Sequence, residues 1–201
     1  MPQSCDGKRR KGDTVGKVYG QIDEHIASFI GEQRVFFVGT APSGTNGHIN
    51  VSPKGLDAFR ILDPTTVAYL DLTGSGIETV AHLRDNGRIC IMFCAFEGAP
   101  KILRLHGRGE VIEPGDARFA ALRAQFPPFA GVRSVIRVRL ERVADSCGYA
   151  VPLYRYEGER TQLADWAEHK GPEGIARYQA EKNSRSIDDL PGLQAPPTRA
   201  F

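Results

Sequence analysis

TVAYLDLTGSGIETVAHL, residues 66–83, is the stretch whose reading decides the fold. Thr66 to Leu72 is a β-branched and aromatic run that stops at four small residues, Thr73, Gly74, Ser75 and Gly76. Ile77, Val80, Ala81 and Leu83 then recur at helical spacing. The pattern predicts a buried strand, a tight turn, and a helix closing near Asn86-Gly87, where a left-handed residue caps it. A turn of this kind presents unpaired backbone N–H groups, the hydroxyls of Thr73 and Ser75, and the positive end of a helix dipole. A phosphate monoester fits it, with Thr79 one turn on; so does a plain capping turn. A nucleophile elbow does not, because it needs glycine where Thr73 and Ile77 stand. The dinucleotide fingerprint is a near miss, since Thr79 replaces its third glycine and no parallel βαβ repeat surrounds it.

Upstream, Ile22, Ile26, Phe29 and Ile30 follow an acidic first turn and predict a short amphipathic helix. RVFFVGTA (34–41) and HINVS (48–52) predict a hairpin joined by PSGTNG, with Pro53-Lys54-Gly55 ending the second strand. Downstream, RICIMFCAF (88–96) predicts a strand, and KILRLHGRGEVI (101–112) a long strand bent at Gly107 and Gly109. A helix through Phe119 and Leu122 comes next. VRSVIRVRLERV (132–143) then alternates, with Val132, Ile136, Val138 and Leu140 on one face and Arg133, Arg137 and Arg139 on the other. About six strands with hairpin-length connections predict a mainly β, α+β protein: a closed antiparallel barrel with peripheral helices.

From Cys147 the texture changes. Two polar helices are predicted over 161–170 and 172–182, followed by an aperiodic, proline-rich tail that is disordered or laid over a neighbour. The expected division is a flexible segment 1–20, a barrel 21–146, and an extension 147–201 packing on the barrel or on a partner subunit.

The 201 residues are 41% hydrophobic and 25% charged, with a net charge of +2, too small to predict nucleic-acid or membrane partners. Lys8-Arg9-Arg10-Lys11 is the only dense basic run and suits a solvated tail. No apolar run reaches membrane-span length and no signal peptide is visible, so a cytoplasmic protein is expected. Cys5, Cys90, Cys94 and Cys147 lack zinc-site spacing and are read as free thiols; the five histidines show no metal-ligand spacing, and no metal is expected. Lys54, at a strand end, suits either an anion on the barrel rim or plain solvent.

Three segments, GHINVSPKG, VAYLDLTGSGIETVAHLRDNGRICIMF and LRLHGRGEVI, resemble in order and spacing the pyridoxamine 5′-phosphate oxidase-like proteins, the FMN-binding split-barrel family. The likeness covers about residues 30 to 115. It implies a six-stranded split barrel that dimerises and holds FMN in clefts at the subunit interface. Carried over by position, Ser52, Lys54, Thr73, Ser75 and Thr79 match phosphate or ribityl contacts, and Pro53 and Gly55 match backbone contacts to the ring. The strand-turn-helix from Asp71 through Gly74 and Glu78 to Thr79 completes the implied phosphate site. WAEHKGPEGIARYQAEKNSRSIDDLPGL is similar to the C-terminal extension of a bacterial subgroup of that family. Trp166, Lys182 or Asn183 is then placed over the partner's flavin.

The chain departs from the oxidases of that family in three places. Glu78 and Thr79 stand where an Arg-Lys pair begins their helix, Ser52-Pro53-Lys54 replaces an arginine-bearing strand motif, and their C-terminal substrate signature is missing. The resemblance therefore implies an FMN-dependent oxidoreductase of unassigned small-molecule substrate, with no side chain marked as acid or base. The alternatives are a non-catalytic flavin-binding or redox-sensing module, and a deazaflavin or haem in the same cleft.

Overall fold

The computed structural model describes residues 16–194, so Cys5 and the basic run 8–11 lie outside the described residues. After a two-residue strand, β1 (Val18–Tyr19), Asp23 caps α1 (Glu24–Glu32) by accepting the Ile26 N–H at 2.9 Å, which satisfies one free donor of the first turn. That helix buries Ile26 and Ile30. There follow β2 (Phe36–Thr40), β3 (Asn50–Lys54), β4 (Phe59–Asp63), β5 (Thr66–Leu72), α2 (Glu78–Asn86), β6 (Arg88–Cys94) and β7 (Ile102–Ile112). The chain continues through α3 (Phe119–Arg123), β8 (Val132–Ser146) and α4 (Gln162–Lys182).

All strand pairings are antiparallel, in the order β3-β2-β6-β7-β8-β5-β4, with β1 on β8. The sheet curls until its two ends meet. Phe59 of β4 packs edge-on against Phe36 of β2 and Phe93 of β6, with ring centroids 5.2 and 5.1 Å apart. The barrel interior is filled by Val38, Tyr69, Ile91, Leu103, Leu105, Ile136 and their neighbours, and α1 and α2 add Ile26 and Val80 to it. A smaller cluster around Leu70, Ile112, Phe126 and Val135 covers the other face of β5 and β8. The protein is thus the expected antiparallel, sheet-dominated split barrel with peripheral helices, with eight strands among the described residues where the sequence suggests six.

The two additional strands are β1 and β4. β4 is a five-residue hairpin partner of β5 with a bulge between Ile61 and Asp63, too short and irregular to leave a period-two signature. β3 also differs: Pro53 lies inside the strand, opposite Phe37, and does not end it. This is possible because β3 is an edge strand, where a missing N–H costs no ladder bond.

Gly87 caps α2 in the left-handed region, φ 70°, its N–H donating to Leu83 O as the sequence predicts. The bend in β7 falls at the His106/Gly107 register shift. α4 breaks at Gly171-Pro172, matching the two helices expected, and Trp166 packs edge-on against Tyr178 across the break. Among the described residues Cys90, Cys94 and Cys147 form no disulfide. Among the described residues no helix is long and apolar enough to cross a membrane.

Candidate functional site

Where the ends of the sheet meet, β3 faces the turn that links β5 to α2. Ser52 and Asn50 pair with Val38 and Thr40 in register, so Asn50, Ser52 and Lys54 point to the barrel side of β3. The Lys54 ammonium lies 3.5 Å from the Asp71 carboxylate and bridges the split. Asp71 is fully buried and also takes the Arg133 guanidinium, at 2.6 and 3.3 Å, and the Ser134 hydroxyl at 3.3 Å. Burial pushes the Asp71 carboxyl pKa up, but Arg133, Lys54 and the hydrogen bonds from Arg133 and Ser134 outweigh it and hold it below the usual carboxylate range. One anion thus meets two cations, which leaves the cluster with one positive charge in excess.

Arg133 is a correction to the alternation expected in β8. Asp71 pairs with Ser134 and Leu72 with Val132, so Arg133 is the extra residue of a β-bulge. A bulge re-aims the side chain it carries, and Arg133, 5% exposed, turns inward onto Asp71 while Arg139 stays in solvent.

A second polar group lies along β3. Asn50 Nδ2 donates to Thr79 Oγ1 at 3.0 Å and to Thr40 Oγ1 at 3.3 Å, Ser52 Oγ donates to Asn50 Oδ1, and Thr40 Oγ1 lies 3.0 Å from His82 Nδ1. His82 is wholly buried, its Nε2 has no partner among the described residues, and burial lowers its pKa against the opposing fields of Asp188, Glu78 and Asp85. It is neutral at pH 7.

In the turn itself Thr73 is buried and committed. Its hydroxyl donates to Gly131 O at 2.7 Å and accepts from Gln179 Nε2 at 2.7 Å, so it is not offered to a ligand. Ser75 and Gly76 are exposed, and their backbone N–H groups meet no acceptor among the described residues; Ile77, at the N-cap, makes no side-chain cap bond. The Glu78 carboxylate accepts the Ile187 N–H at 3.4 Å. Pro53 lies on the opposite face of β3 beside exposed Val51 and half-buried Phe37, away from the turn, and Gly55 follows at the strand end.

Of the residues singled out from the sequence, Lys54 meets Asp71, which Arg133 joins to Gly74; Ser52 and Thr79 meet through Asn50; and Ser75 and Glu78 stand in the adjoining turn and helix start. Thr73 is committed to structure and Pro53 is set apart. Sequence reasoning missed Arg133, Asn50 and the buried His82. The donor set suits a phosphate monoester: two backbone N–H groups at a helix start and the Ser75 hydroxyl, none of them partnered among the described residues, and a cluster one charge positive that offsets the Glu78 carboxylate beside Gly76. Among the described residues no group of three His, Cys, Asp or Glu side chains is placed to hold a metal.

Tyr69, on β5 beside Asp71, has a fully buried hydroxyl with no partner among the described residues, and burial raises its pKa well above that of a free phenol. Tyr69→Phe removes an unsatisfied polar group and keeps the ring. It is expected to leave stability unchanged or raise it by about 1 kcal/mol in urea unfolding; a loss of similar size would show that the hydroxyl is bonded.

Residues 22–147 match the family model described as pyridoxamine 5′-phosphate oxidase. This chain belongs to the pyridoxamine 5′-phosphate oxidase family. The family protein ustO of Aspergillus flavus is 40% identical over 194 residues, a match covering 88% of this chain and 78% of that protein. At that coverage the match runs past residue 147 into the C-terminal extension. Among solved structures, a tagged variant of HupZ from Group A Streptococcus is 27% identical, with a TM-score of 0.51 over 62% of this chain and 98% of that one. A Lactobacillus delbrueckii protein provisionally named for pyridoxamine 5′-phosphate oxidase is 18% identical, with a TM-score of 0.50 over 64% and 98% of the two chains, and shares the fold.

Proposed function

We propose that this member of the pyridoxamine 5′-phosphate oxidase family is an FMN-binding flavoprotein, and that it acts as an FMN-dependent oxidoreductase on a small molecule. The observation that carries the reading is the junction of β3 with the β5–α2 turn, where Lys54 and Arg133 both meet Asp71 beside backbone donors of Ser75 and Gly76 that have no acceptor among the described residues. Ser75 and the N–H groups of Ser75 and Gly76 hold the phosphate, Lys54 contributes charge, and Asn50, Ser52 and Thr79 line the approach along β3. Asp71 and Arg133, both buried, act behind them by fixing Lys54 and the turn. A flavin supplies hydride or electron transfer; the protein's part is to bind, orient and shield it.

The same reading has two copies of the chain sharing the cleft. Ile49 and Val51 are 77% and 65% exposed, and Val51 continues onto half-buried Phe37 and Met92 on the outer face of the sheet, an apolar strip suited to a second copy. A non-catalytic flavin carrier is the second reading, favoured by one observation: Lys54, Asp71 and Arg133 are bound in one ion-pair cluster, leaving none of the three as a ready acid or base.

The test is the visible spectrum of the purified protein together with its mass by light scattering. Flavin bands that survive dialysis, on a dimer, are expected. A protein that is colourless and leaves added FMN fluorescence unquenched overturns the flavin reading, and a strict monomer at micromolar concentration overturns the shared cleft. Turnover of the bound flavin with a reductant and oxygen then separates the enzyme from the carrier.

A further inference from the structure

Asn183, the residue that ends α4, is completely buried, and both ends of its amide are engaged. Its Oδ1 accepts from Arg133 Nη1 at 3.0 Å, while its Nδ2 donates to Gly74 O at 2.9 Å and reaches Ser75 O at 3.4 Å. One turn earlier, Gln179 donates to the Thr73 hydroxyl. The extension therefore grips the turn by its oxygens, from one side. A trans peptide sets C=O and N–H in opposite directions. With the carbonyls of Gly74 and Ser75 fixed toward Asn183, the N–H groups of Ser75 and Gly76 are turned away from the extension.

The grip is itself secured. Beyond Asn183 the chain doubles back, Gly192 N donating to Ser184 O and Leu193 N to Asn183 O, both at 2.8 Å, while Arg84 binds Gly192 O and Leu193 packs on the barrel core. Gly192 is needed for this approach, because a Cβ there would press into Asn183 O and the Ile77 side chain. No lysine or arginine lies between residues 73 and 79. An anion held at this turn depends on the direction of backbone dipoles, which must be set in advance.

We propose that the C-terminal extension is the positioning element of this cradle, with Asn183 and Gln179 as its positioning residues, acting on the chain's own turn and not on a partner's flavin. The proposal rests on the flavin reading above and deepens it: the extension sets how strongly the site prefers a phosphorylated flavin.

The test titrates FMN and riboflavin separately into the full chain by fluorescence quenching, since only FMN carries the phosphate. The wild type is expected to bind FMN more tightly than riboflavin. Asn183→Ala is expected to cut that preference at least tenfold with riboflavin affinity nearly unchanged, and Gln179→Ala to cut it by at least threefold. An unchanged preference in either variant that still melts cooperatively overturns the proposal; if Asn183→Ala does not fold, Gln179→Ala alone decides. A wild type that binds both flavins equally overturns the phosphate site itself, before any variant is compared. Uniform loss of FMN and riboflavin affinity in the variants also overturns the proposal, because it marks a general structural role.

Discussion

Arg133→Ala is expected to lower folding stability by about 3–5 kcal/mol, read as a fall in the urea midpoint with an unchanged slope. The size follows from what is left behind. Asp71 is fully buried, and its two hydrogen bonds from the guanidinium disappear, leaving Lys54 at 3.5 Å and one hydroxyl. Asn183 Oδ1 loses its donor at the same time. Replacing both charged partners, as Asp71→Leu with Arg133→Met, is expected to cost much less than the single change, because the one charge then left without its partner, Lys54, is 22% exposed and reaches solvent. The pair also shapes the acid limb of stability. The folded-state pKa of Asp71 lies below its unfolded value, so its contribution is present above the unfolded pKa and is lost as pH falls through the folded one. A loss under about 1 kcal/mol in Arg133→Ala would show that Asp71 does not depend on the guanidinium.

That pair also marks the limit of what the sequence discloses. Local signals carried far: the run Thr66–Leu72, the small-residue turn, the Gly87 cap and the break at Gly171 are each written in neighbouring residues and found where expected. Arg133 fails because its partner lies 62 residues earlier and because a bulge removes it from the alternation that Arg137 and Arg139 obey. Among Arg137, Arg139 and Arg142 it looks like one more solvent-facing arginine until the register is known. Asn50 and His82 share the difficulty. A polar residue at a strand start and a histidine in a helix acquire meaning only through Thr40 and Thr79, which the fold brings between them. The extension is the strongest case: its composition suggests a tail, yet Asn183 is as buried as any core residue, through bonds to a turn more than a hundred residues away.

Lys54→Ala is expected to weaken FMN binding at least tenfold, about 1.4 kcal/mol, while leaving the protein folded. The two halves of this expectation have separate causes. Folding survives because Arg133 remains on Asp71 through two hydrogen bonds, so the buried carboxylate keeps its main partner. Binding weakens because the cluster falls from one positive charge in excess to none, leaving only neutral donors and the Glu78 carboxylate at the turn. The lysine side chain is 22% exposed, so its field reaches the turn through partial solvent screening. Raising salt should therefore weaken FMN binding to the wild type more than to the variant. Lys54→Arg keeps the charge and should recover most of the affinity, whereas riboflavin, without a phosphate, should bind wild type and Lys54→Ala alike. Unchanged FMN affinity in a folded Lys54→Ala would assign the lysine to the split alone, as a bridge between β3 and β5.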